Sequence, residues 1–88
     1  INDTVAINNH EYELNLEFSR VLRWYEMWKD EDLPEEYRVF LCIVMILGLD
    51  EVENVDQLEK YVMPEDIEEL LSTIIQRIVG ENSPNKLL

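Results

Sequence analysis

The chain has 88 residues, one cysteine, and 7 basic against 20 acidic side chains, giving a formal charge of −13 at pH 7. A chain this acidic is repelled by polyanions and anionic lipid, which argues against nucleic acid and membrane surfaces as partners. Its 47% hydrophobic content, with two glycines and three prolines, suits one small folded domain, and its longest apolar run, Val39 to Leu47, falls far short of the roughly 20 residues that cross a bilayer.

In chain order, the first signal is period two. Val5 and Ile7 share one face, as do Tyr12 and Leu14, which predicts two half-buried strands spanning residues 4 to 14. Asn8-Asn9 between them tolerates positive φ and predicts a tight hairpin turn. Asn15 is placed to cap a helix that begins near Leu16. In that helix Phe18, Val21, Leu22, Tyr25 and Trp28 follow helical spacing and are predicted to form its core face. Trp24 and Met27 fall outside that stripe. They form either an exposed contact surface or a second covered side.

Lys29 to Leu33 is a charged connection, and Pro34 with Glu35 and Glu36 suits the start of a second helix. From Tyr37 to Leu47 the only charged side chain is Arg38, so this helix is predicted to be central, or to face a partner through part of its surface, with Gly48 as its stop. Cys42 lies in this stretch and reads as a buried core thiol. A lone cysteine makes no internal disulfide, which points to a reducing compartment.

Residues 50 to 69 hold nine acids against Lys60 alone, contributing −8 of the −13. A solvated acidic face is the expected reading of this segment. Within this segment Asn54 or Asp56 caps a short helix that carries Leu58, Tyr61 and Val62 inward. Pro64, Glu65 and Asp66 open a last helix whose stripe is Ile67, Leu70, Leu71, Ile74, Ile75 and Ile78, closed by Gly80. Residues 81 to 88 read as a tail or the start of a linker.

No catalytic set emerges from these residues. Asp30-Glu31-Asp32 and the stretch from Asp50 lack the glycine and terminal glutamate of an EF-hand loop. His10 is the only histidine, so zinc has no ligand set, and there is no phosphate loop or Ser/His/Asp group. The sequence predicts a non-enzymatic chain without cofactor or metal.

The order of features over the first 40 residues is more specific than any one of them. Val5 to Asn15, then Phe18-Ser19-Arg20-Val21-Leu22, then Asp30-Glu31-Asp32-Leu33-Pro34-Glu35-Glu36 and an apolar helix, resembles the gene-product-fifteen family of tailed bacteriophages. That family's pattern is V-x-I-N-G-x-x-Y-x-I-N-x-x-F-R, followed by a helix and an acidic D-L-P-E-E-like joint. Asn8, Tyr12, Asn15, Phe18 and Pro34 fit it, whereas Asn9 replaces the turn glycine and Ser19 stands where an arginine often follows. Members are longer, so the chain corresponds to an N-terminal domain or to a short member.

The resemblance implies a tail assembly chaperone acting in the cytoplasm of an infected or lysogenic host. Its implied partners are the tape-measure protein, tail-tube subunits and itself. A structural tail component and an acidic DNA mimic are the rival readings. For a holdase, the exposed apolar strip is expected at Trp24 and Met27, with Val39, Ile43 and Ile46 on the second helix as the other candidates. The expected fold is α+β and mainly α, a single domain over residues 1–80 in which the hairpin packs on three to four helices. Phe18, Leu22, Tyr25, Phe40, Leu41, Val44, Leu70, Leu71, Ile74 and Ile78 are its predicted core.

Overall fold

The computed structural model describes residues 2–80, so the predicted tail from 81 onward lies outside the described residues. Strands β1 (Asn2–Ile7) and β2 (His10–Asn15) pair antiparallel, with Val5 opposite Tyr12 and Ile7 opposite His10. Asn8 and Asn9 have φ of 52° and 68°, which is the double left-handed geometry of a two-residue type I′ turn. Asparagine reaches this region because its short side chain bonds locally. The turn sets the register, and the register puts Val5, Ile7, Tyr12 and Leu14 together on the buried face.

Helices α1 (Phe18–Trp28) and α2 (Glu35–Leu47) follow, then the short α3 (Val55–Leu58), a 3₁₀ turn at Pro64–Asp66, and α4 (Ile67–Ile75), which runs into a π-helical turn at Gln76–Gly80. The fold is therefore α+β and mainly α, as expected. Asn15 is not the expected N-cap: α1 starts at Phe18 with Glu17 at its N-cap, and Asn15, two residues further out, accepts the Glu17 backbone N–H with its Oδ1 at 3.2 Å. α2 is the central helix, in contact with α1, β2 and α4. It ends in a Schellman motif, where Gly48 at φ 68° donates to Met45 O and Leu49 donates to Val44 O.

Two arginines tie α1 and α2 together. Arg20, near the start of α1, donates to Met45 O at 2.8 Å near the end of α2. Arg38, near the start of α2, donates to Trp28 O at 3.1 Å at the end of α1 and lies over the Trp28 ring. Each helix thus supplies a cation to the negative end of the other's dipole, which fixes the pair as antiparallel.

The face that α1 buries is a correction to the sequence expectation. Trp24 and Met27 are core, at 1% and 8% exposure, while Phe18, Leu22 and Tyr25 lie in solvent at 78%, 47% and 37%. Val21 and Trp28 border both sectors and are half-buried. The buried sector also contains Arg20, and this hides it in a hydropathy pattern. The Arg20 stem runs along the core while its guanidinium leaves to cap α2.

Elsewhere the core follows the expectation more closely. Phe40, Leu70, Ile74 and Ile78 are buried, whereas Leu41, Val44 and Leu71 are half-buried and pack against the core from its margin. Tyr61, expected inward, is about half exposed, because α3 ends at Leu58 before another turn could rotate it in. Cys42 is fully buried as expected; it accepts the Trp24 indole N–H at 2.9 Å, and burial pushes its thiol up to about 12. A thiol so far from ionising is chemically inert. Leu70→Ala is expected to cost about 2–5 kcal/mol in denaturant melts and the marginal Leu71→Ala clearly less.

Candidate functional site

Of the five predicted contact residues, four are closed off. Trp24, Met27, Ile43 and Ile46 are buried in the shared core, and Ile43 and Ile46 have no exposed surface. As exposed contact residues these four are corrected: α2 is surrounded by α1, β2 and α4, and Trp24 and Met27 fill the α1 side of that enclosure. Val39 alone keeps partial exposure, beside Pro34, Glu35 and Glu36 at the start of α2.

One acid of the 50–69 segment is not solvated. Asp66 is fully buried, and its carboxylate accepts from Asn8 Nδ2 at 2.7 Å, from Tyr12 Oη at 2.5 Å and from His10 Nδ1 at 2.8 Å. Tyr12 Oη in turn accepts the Met63 backbone N–H at 3.2 Å. The Tyr12 hydroxyl holds the Asp66 carboxyl below its ordinary value of 3.8 against the opposing effect of burial, with Asn8 and His10 adding to it. Burial, and next the Asp66 hydrogen bond, push the Tyr12 phenol above its usual range.

His10, Glu65 and Asp66 each bring a potential ligand atom within 4.8 Å of the others. Both Asp66 oxygens and His10 Nδ1 are already committed to one another and to Tyr12 and Asn8. Chemically this is a clamp. It fastens the hairpin to the start of α4 across more than 50 residues of sequence, and it explains why a two-stranded sheet, marginal alone, is held here.

A surface feature suited to recognition lies at the start of α2. Pro34, Glu36, Tyr37, Phe40, Glu53, Asn54 and Val55 line a groove of about 360 Å³ between the first turns of α2 and the loop before α3. Its floor is apolar. Tyr37 stacks on Phe40 with centroids 6.2 Å apart, and Tyr37 and Val55 are 49% and 57% exposed.

Local hydrogen bonds fix the α3 wall of this groove. Asn54 Oδ1 accepts the Gln57 N–H at 3.0 Å, and Gln57 Oε1 accepts the Glu53 N–H at 2.6 Å. This reciprocal cap satisfies the start of a helix only four residues long and holds Val55 outward at the rim. The exposed carboxylates of Glu36 and Glu53 flank the apolar floor. The arrangement offers apolar anchor pockets with a negative border. Val39, on the neighbouring shallow face, is the one predicted contact residue close to it.

Among the described residues no helix is long and apolar enough to cross a membrane. Residues 1–86 match the family model described as Bacteriophage Gp15 protein. No curated protein and no solved structure matches the chain.

Proposed function

The chain belongs to the bacteriophage Gp15 family, and from that membership we propose that it serves tail assembly as a non-enzymatic chaperone that captures a helical segment of the tape-measure protein and brings it to tail-tube subunits. The observation that carries this reading is the groove of Tyr37, Phe40 and Val55 between Glu36 and Glu53. An amphipathic helix binds by laying a few apolar anchors into such a groove. The carboxylate rim selects a client with Lys or Arg beside those anchors and steers it in from solution. The remaining negative charge keeps the loaded complex soluble.

Co-expression tests the proposal. The protein is expected to raise the soluble yield of tape-measure segments, and Tyr37→Glu with Val55→Glu is expected to abolish that gain. Both side chains are about half exposed, so the double variant should keep its thermal midpoint within the shift of about 0.5 kcal/mol typical of surface changes. Glu36→Lys with Glu53→Lys offers a second route that leaves the apolar floor intact, and it too should lower the yield. Undiminished rescue by both stable variants overturns the reading. A stoichiometric band in purified virions would assign the chain to the finished particle instead.

A further inference from the structure

Among the described residues, α1 carries a second surface that no other element covers, on the side away from Trp24 and Met27. Phe18, Leu22 and Tyr25 are exposed at spacings of four and three residues, and the series continues four residues on to Lys29, whose ammonium lies 6.0 Å from the Tyr25 ring centroid. At about 100° per residue these four side chains fall within a sector of about 60°. Their spacing is that of a coiled-coil seam. The stripe belongs to the outer face of the helix hairpin, whereas the client groove lies between α2 and α3.

We propose that this stripe is the seam of a homodimer in which two copies of α1 pack antiparallel about a two-fold axis. Charge selects a second copy as the occupant. Arg20 turns inward to Met45 O, and of the exposed charges at 17–29 Arg23 and Lys29 balance Glu17 and Glu26, so this face is neutral in a chain of −13. A second anionic molecule is therefore not repelled at this face, as it is at residues 50 to 69.

Charge also selects the orientation. Glu17 lies at the start of the stripe and Lys29 at its end, both exposed. Parallel packing sets like against like. Antiparallel packing over the whole stripe sets Leu22 against the partner's Tyr25 and Glu17 beside the partner's Lys29. The two-fold axis repeats each pair, so the contact is self-complementary and closes at two copies. A three-turn seam is small for an obligate dimer. Association in the micromolar range is expected.

Sedimentation equilibrium of the whole chain without client, from about 1 µM to about 1 mM, reads this directly. The expected mass rises from monomer to dimer and stops there. Leu22→Glu, at a position already half exposed, is expected to weaken association at least tenfold with unchanged helical circular dichroism. Glu17→Lys and Lys29→Glu should each weaken it several-fold, and the two together should restore it. A monomer throughout, growth beyond the dimer, or failure of the double reversal to restore association overturns the proposal. Because no client is present, these results stand apart from the groove reading, and loss of client capture in the groove variants leaves them untouched.

Discussion

Trp24→Ala is expected to destabilise the domain by about 3–5 kcal/mol, the range for truncating a fully buried tryptophan. For a chain of 88 residues that is a large share of a total stability of about 5–10 kcal/mol. Trp24 is 1% exposed, stacks on Trp28 with centroids 5.6 Å apart, meets Tyr25 edge-on at 5.2 Å and donates its indole N–H to Cys42 Sγ. Truncation opens a cavity at the α1–α2 contact and leaves the thiol without its donor. Trp24→Glu should be worse, since it places an unpaired carboxylate in that space. By contrast Phe18→Ala, at 78% exposure, should shift stability by no more than about 0.5 kcal/mol. Urea melts of the three variants distinguish this packing from one in which Phe18 faces the core.

Asp66→Asn is the second change expected to be severe. The amide keeps the shape but turns an NH₂ toward a cradle of donors, so at least one of Asn8, His10 and Tyr12 loses its acceptor. An orphaned buried donor costs more than the bond it made. The variant should show the greatest fall in thermal midpoint among single acid-to-amide changes in residues 50 to 69, because the other eight acids there are exposed.

Its effect should also depend on pH. Asp66 has a folded-state pKa below its ordinary value, so its charged form stabilises the fold above the unfolded carboxyl pKa of about 4. That contribution is lost as pH falls through the lower folded value. The gap in thermal midpoint between wild type and Asp66→Asn should therefore be full at neutral pH and narrow in acid. A gap independent of pH down to about pH 2 would mean that the clamp works through shape and not through its charge.

Much of the fold is legible in the sequence because its local signals are strong and agree. Asn8-Asn9 can close a hairpin only in one register, Gly48 can stop α2 because it accepts a left-handed φ, and an apolar stretch as continuous as 39–47 has to be central. What is not legible depends on partners distant in sequence. Arg20 reads as polar until Met45 O is beside it, and that one residue disguises the Trp24–Met27 face as an outer one. Asp66 reads as one acid among nine until the hairpin brings it three donors.

The functional surface follows the same division. Val39, near the groove, comes from the apolar run, but Tyr37 and Val55 come together only when the Asn54 cap folds the loop back toward α2. A lone valine between Asn54 and Asp56, outside the inward set of the short helix, is the trace that the α3 wall of the groove leaves in the sequence.

Titration of the ¹⁵N-labelled chain with tape-measure segments, followed by NMR, tests client capture most directly. The expected shifts centre on Tyr37, Phe40, Asn54 and Val55, and they weaken as salt screens Glu36 and Glu53, since the screening length at about 0.15 M salt is about 8 Å. No shift with any tape-measure segment, or shifts confined to the hairpin and the Asp66 clamp, would contradict it.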